Sequence, residues 1–137
     1  LTCLRRHLKP GGFLILDIFN PSLRSLAADN LGEEVGAEPE FSTPEGIRVR
    51  RVSKTIARDY FRQVIDVELF YYLTHPDGIE ERLVHAFPMR YLFRYEAEHL
   101  LARCGYEVIE LYSDYEKNPF GFSDPGDLIF LATPTNE

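Results

Sequence analysis

The chain has 137 residues, 45% hydrophobic and 27% charged, which is the length of one domain with a core of its own and an ordinary globular composition. A formal charge of −7 argues against a nucleic-acid binder, whose footprint is a basic face. No apolar run approaches the roughly 20 residues needed to span a bilayer, and no apolar leader is predicted. Cys3 and Cys104 lack the spacing of a metal site or redox pair and read as reduced, packed thiols, which points to the cytoplasm.

Leu1, Leu4 and Leu8 keep a helical period, and Arg5, Arg6, His7 and Lys9 place positive charge at the negative end of the helix dipole. The first residue is Leu and the helix is already under way, so a preceding segment is expected. Pro10-Gly11-Gly12 ends the helix. Residues 13–19 read as a strand without polar alternation, covered on both faces as in a parallel sheet, and Asn20-Pro21 stops it. Asp17 inside that apolar run would be costly to bury alone, so it reads as a structural hydrogen-bond acceptor. Residues 22–30 suggest a short helix with Ser22 as its cap. Residues 32–46, acidic with Pro39 and Pro44, suggest a loop.

The middle of the chain is β-branched and aromatic. Residues 47–57, 60–74 and 79–90 predict a three-stranded antiparallel meander with one buried face, turning at Ala57-Arg58-Asp59 and at His75-Pro76-Asp77-Gly78. Phe61, Ile65, Val67, Leu69, Tyr71 and Leu73 would line the buried side, with Leu83, His85 and Phe87 continuing it. Arg48, Arg50, Arg51 and Lys54 form a basic cluster in the first strand, read as a solvated sheet face or an anion contact. Residues 94–104 predict a helix packing Ala97, Leu100, Leu101 and Cys104, poorly capped at its start and closed by Gly105. A strand at 106–112, a loop rich in Asn, Pro, Gly and Asp, and a last strand at 127–133 complete the chain.

Three segments resemble the C-terminal half of a class I S-adenosylmethionine-dependent methyltransferase. His7-Leu8-Lys9-Pro10-Gly11-Gly12 before Phe13-Leu14-Ile15-Leu16-Asp17 is similar to the family's "LKPGG" turn and fifth strand. Tyr95-Glu96-Ala97-Glu98-His99-Leu100-Leu101 with Cys104-Gly105-Tyr106-Glu107-Val108 is similar to its last helix and sixth strand. Asp124 through Thr133 is similar to strand seven, which in that family lies antiparallel beside strand five. The resemblance implies an α/β fold: the C-terminal portion of a Rossmann-like sheet, strands five to seven, in residues 1–46 and 91–137. Residues 47–90 would be an inserted antiparallel meander serving as a lid or substrate subdomain.

It also implies a parent enzyme that uses S-adenosylmethionine to methylate a small-molecule acceptor. The family's Gly-rich loop and the acidic residue ending its second strand have no counterpart here. No cofactor-binding residue is therefore assigned, and this chain alone is expected neither to bind S-adenosylmethionine nor to be active. Methyl transfer to N or O mainly requires that the acceptor be positioned and relieved of a proton. The candidates are Asn20 beyond strand five, the pair Arg90-Tyr91 before the last helix, His85 on the meander, and Asp114 and Tyr115 after strand six. Arg90 would hold a carboxylate through two parallel hydrogen bonds, or else form a structural ion pair. For the others the alternatives are strand termination at Asn20, a core histidine at His85 and a solvated carboxylate at Asp114. No catalytic residue is assigned, and the four histidines lack metal-ligand spacing.

A second class of function stays open: a truncated, non-catalytic binding or dimerisation module. Under either reading the open apolar edge of residues 13–19 is expected to self-associate. Neither nucleic acid nor membrane is an expected partner.

Overall fold

The computed structural model describes residues 1–36, 39–123 and 125–135. Asp124, with which the closing-strand motif begins, lies outside them, as do residues 37 and 38 of the acidic loop. The described residues fall into two compact units, Leu1–Ser25 with Tyr91–Glu137, and Leu26–Arg90.

In the first unit, helix α1 (Thr2–Arg5) frays through Arg6 and His7 into the Lys9–Gly12 turn. Gly12 N–H donates to the Lys9 carbonyl at 2.8 Å, and Gly11 takes a φ of +74° that costs glycine little. Strand β1 (Leu14–Ile18) follows, then α2 (Leu23–Ala27), whose start is capped as predicted: Ser25 N–H donates to Ser22 Oγ at 3.0 Å. Strand β1 is not covered on both faces. Leu14, Leu16 and Ile18 pack on the core, while Ile15 is 67% exposed and Asp17 lies open beside it. Its alternation is that of an antiparallel strand with one dry face, and its partner is the last strand of the chain.

The second unit is built on three long strands, β4 (Arg48–Asp59), β5 (Val64–Thr74) and β6 (Glu80–Arg90), paired antiparallel in sequence order. The meander is therefore as predicted, but residues 26–46 belong with it. Two short strands, β2 (Glu34–Val35) and β3 (Phe41–Ser42), pair with the free edge of β4, so the expected loop adds to the sheet. The first turn falls at residues 60–63 and not at 57–59. Asp59 Oδ1 accepts from Arg62 N–H at 3.0 Å, and Gln63 takes the positive φ of 54° that closes the reversal. The second turn is where the sequence places it, with Gly78 N–H donating to the His75 carbonyl at 2.9 Å.

The sheet also lacks the single buried face expected of it. Ile65 and Val49 are buried on one side, but Val52 and Phe70, opposite each other in register, are buried on the other. Phe61 sits in the turn, fully exposed. Phe70 is covered on its polar-looking face by long cations: Arg82 Cζ lies 4.5 Å and Lys54 Nζ 4.9 Å from its ring centroid. The charged heads themselves lie over the ring as cation–π contacts. Strand β6 is the edge of the sheet and carries Pro88, a residue tolerated there because an edge has donors to spare.

Back in the first unit, α3 (Arg94–Arg103) has no side-chain cap at Phe93, as expected, and is steadied by an i,i+4 bond from Arg94 Nε to Glu98 Oε1 at 2.8 Å. Its C-terminus turns at Gly105, φ +77°. Ala97 and Leu101 are buried, but Leu100 is 41% exposed and does not belong to the core face predicted for it. Cys3 is exposed, so of the two free cysteines only Cys104 packs against the core. Strands β7 (Tyr106–Tyr112) and β8 (Leu128–Pro134) complete a three-stranded sheet in the order β1-β8-β7, with β8 antiparallel to both neighbours. The core of this unit is Leu101 and Ala97 of the helix against Tyr106, Leu128, Phe130 and Ala132 of the sheet. Each large apolar side chain there contributes about 1.5–3 kcal/mol by leaving water.

Among the described residues both sheets are wholly antiparallel and helices are few and short. No helix among them is long and apolar enough to cross a membrane.

Candidate functional site

Because β1 and β7 are both antiparallel to β8, they run parallel to each other, and their C-terminal ends meet the start of β8 at one edge of the sheet. That edge is where open α/β sheets place ligands. Three of the six predicted site residues come together there: Asn20 after β1, and Asp114 and Tyr115 after β7.

Each is held by the backbone it decorates. Asn20 Nδ2 donates to the Pro125 and Gly126 carbonyls at 2.9 and 3.1 Å, tying the end of β1 to the loop before β8. Ser113, 2% exposed, accepts from Asp127 N–H at 2.7 Å through its carbonyl, and its own N–H donates to the Asn118 carbonyl at 2.8 Å. Asp114 Oδ1 accepts from the N–H groups of Glu116 and Asn118 at 2.9 and 3.1 Å, and Oδ2 from Asn118 Nδ2 at 2.9 Å. The Asn118 side-chain bond, then its backbone bond, hold the Asp114 carboxyl below the usual carboxylate range. This carboxylate organises its loop through these bonds.

Tyr115 Oη donates to Asp17 Oδ2 at 2.5 Å. The bond to that carboxylate raises the Tyr115 phenol above its ordinary value, because ionising it would both break the bond and set two anions side by side. Asp17 is a hydrogen-bond acceptor as the sequence suggested, but it lies exposed on the strand, so burial is not the reason. Beside the pair lies a cleft of about 220 Å³, floored by Ile15, Ile129 and Leu131 and rimmed by Tyr112, Asp114 and Tyr115. An apolar floor with phenol and carboxylate groups at one rim suits a small organic group that presents a polar edge.

The other predicted residues stand apart from this cleft. Tyr91 is 3% exposed, its ring edge-on to Phe93 with centroids 5.5 Å apart, which is core packing. His85 is an exposed residue of edge strand β6, with its ring 4.9 Å from that of Phe87, and is no core histidine. Arg90 ends β6 opposite Val64, exposed and without an ion pair among the described residues. Sequence reasoning missed Ser113 and the partner of Asp17. A lone carboxylate in an apolar strand announces that it has a partner, but not one 98 residues away. Among the described residues no three His, Cys, Asp or Glu side chains group to hold a metal.

Backbone amides of a Gly-rich turn between a strand and a helix can approach a ligand closely, and neither strand-to-helix connection among the described residues, after β1 or after β6, contains a glycine. The adjacent glycines Gly11 and Gly12 lead into a strand, and a Cβ on Gly12 would lie 2.9 Å from the Lys9 carbonyl oxygen, so their freedom is spent on the turn itself. The turn after β1 runs through Asn20-Pro21, without glycine.

No family model matches the chain and no curated protein matches it. Solved structures do. An S-adenosylmethionine-dependent methyltransferase from Clostridium acetobutylicum is similar over 98% of this chain and 49% of its own, at 15% identity and a TM-score of 0.68. CalS10, an amino pentose methyltransferase from Micromonospora echinaspora, is similar over 98% and 48%, at 20% identity and a TM-score of 0.64. The sugar N-methyltransferase KedS8 from a Streptoalloteichus species is similar over 98% and 47%, at 17% identity and a TM-score of 0.61. The chain spans about half the length of the solved structures it matches. At these identities the likeness is one of fold, and it agrees with the sequence motifs: the chain folds like one half, consistent with the C-terminal half, of an S-adenosylmethionine-dependent small-molecule methyltransferase.

Proposed function

We propose that this chain is the C-terminal part of an S-adenosylmethionine-dependent methyltransferase acting on a small molecule, and that it supplies the acceptor side of the active site. In this reading β1, β7 and β8 are strands five, six and seven of the family's sheet, and β4–β6 are the inserted subdomain. The observation that supports it is that β8 lies antiparallel beside β1 in the strand order β1-β8-β7, since the resemblance implies strand seven antiparallel beside strand five. The cofactor cradle then belongs to residues upstream of Leu1, and the longer protein works in the cytoplasm. Acceptor positioning falls to the cleft beside Tyr115 and Asp17, with Asn20 tying the end of β1 to the loop before β8.

The similar solved structures include an amino pentose methyltransferase and a sugar N-methyltransferase, so amino sugars are the first acceptors to try. The experiment is methyl transfer from isotopically labelled S-adenosylmethionine to an amino-sugar panel by the protein extended to the start of its reading frame. Label in the sugar fraction supports the reading. A frame that begins at Leu1 overturns it in favour of a non-catalytic module.

A further inference from the structure

The meander register sets three side chains in one row across three strands: Arg50 of β4 lies opposite Tyr72 of β5, which lies opposite Arg82 of β6. Arg48, two residues from Arg50, shares its face of the sheet. The three arginines line a cleft of about 500 Å³ together with Tyr72, Thr74 and three glutamates, a size ordinary for a small-molecule site.

Two of the guanidinium groups are fixed by stacking. Arg50 Cζ lies 4.2 Å from the Tyr72 ring centroid and Arg82 Cζ 4.5 Å from that of Phe70. Tyr72 is itself pinned, its Oη donating to Glu34 Oε1 at 3.2 Å. Stacking occupies only the face of a guanidinium, and its in-plane N–H donors stay unspent. Among the described residues none of Arg48, Arg50 and Arg82 makes an ion pair, although glutamates line the same cleft. Glu81 is engaged by His75 Nε2 at 3.4 Å.

We propose that this cleft binds a small-molecule oxyanion, a phosphate or a carboxylate, on the forks of Arg50 and Arg82 with Arg48 beside them. Strand spacing puts the two outer strands of the row about 10 Å apart, a gap that one compact anion bridges through both arginines. Glu40 and Glu80 at the same mouth repel a long polyanion, which sets the preference for a small ligand. The site lies wholly within the meander unit and does not depend on methyl transfer.

The test titrates the isotope-labelled full chain with pyrophosphate and, separately, with succinate, following the amide resonances of residues 48–50, 72 and 82. Saturable shifts confined to those residues, weakened by about tenfold or more in the Arg50→Gln/Arg82→Gln double variant, are expected. The stronger of the two titrants identifies the oxyanion. If the double variant does not fold, Arg48→Gln at an exposed position is read instead, with about a threefold weakening. Absence of saturation with both titrants, or equal affinity in the variants, would overturn the proposal. So would displacement of the small anion by heparin binding more tightly at the same residues, which would mark an open polyanion surface.

Discussion

Tyr115 Oη sits 2.5 Å from Asp17 Oδ2, so the loop after β7 is fastened to the C-terminal end of β1 across the neighbouring strand β8. Tyr115 is 74% exposed, and its phenol is nonetheless raised by the carboxylate it donates to. A group whose pKa is raised on folding lends stability that is complete below its unfolded value, about 10 for tyrosine, and is lost as pH rises through the folded value. An ultraviolet difference titration of the chain against Tyr115→Phe is expected to show one late-titrating tyrosine, which Asp17→Asn returns toward the ordinary range. An unchanged Tyr115 titration in Asp17→Asn would remove the bond from the account.

The opposite sign holds for Asp114. Its carboxyl is lowered by the Asn118 side chain and by backbone N–H groups, so the order it gives the loop is present above the unfolded carboxylate range and is lost as pH falls through the depressed value. Protection of the Glu116 and Asn118 amides, taken relative to the intrinsic exchange rate at the same pH, is expected to fall in acid, and to be lost already at neutral pH in Asp114→Ala. Equal exchange in the variant at neutral pH would contradict this.

Much of the fold was legible because periodicity reports it directly: the long strands of the meander, the His75–Gly78 turn and the Gly105 helix stop all stand where the pattern puts them. What was not legible depends on partners distant in sequence. Phe70 looks like a member of a polar face until Lys54 and Arg82 are seen to cover its ring. Misplacing the first turn at Ala57–Asp59 hid the register that aligns Arg50, Tyr72 and Arg82. Of the candidate site, Asn20, Asp114 and Tyr115 were found from their places after strands. Asp17 was recognised as an acceptor, but its donor lies on a different element.

Helix α3 separates the sequence pattern from the packing. Leu101 is fully buried and Leu100 is 41% exposed. Leu101→Ala is expected to cost about 2–5 kcal/mol, and Leu100→Ala to stay within about 0.5 kcal/mol, in urea denaturation. Similar losses for both would restore the predicted face.

Gly105 has a φ of +77°, and a Cβ there would collide with the Arg5 guanidinium, whose Nη2 donates to the Thr135 carbonyl at 2.7 Å. Gly105→Ala is expected to destabilise the first unit by about 1–2 kcal/mol from the backbone conformation alone. A neutral result in the same denaturation assay would show that Arg5 is free to move and that the turn relaxes.

The outer edge of β1 has no partner strand among the described residues, and Phe13 and Ile15 are 57% and 67% exposed. Open apolar edges pair with one another. Light scattering is expected to report a mass above 15.9 kDa for this chain, and Ile15→Lys to restore the monomer. A monomeric parent chain would contradict this.

The central expectation is that a chain folding like half of a methyltransferase needs further residues to hold the cofactor. Calorimetric titration of S-adenosylmethionine into the 137-residue chain, and into the protein extended through its upstream reading frame, tests this most directly. No binding by the chain and one equivalent bound by the extended protein is the predicted result. Saturable binding by the chain alone, or none by the extended protein, would contradict it.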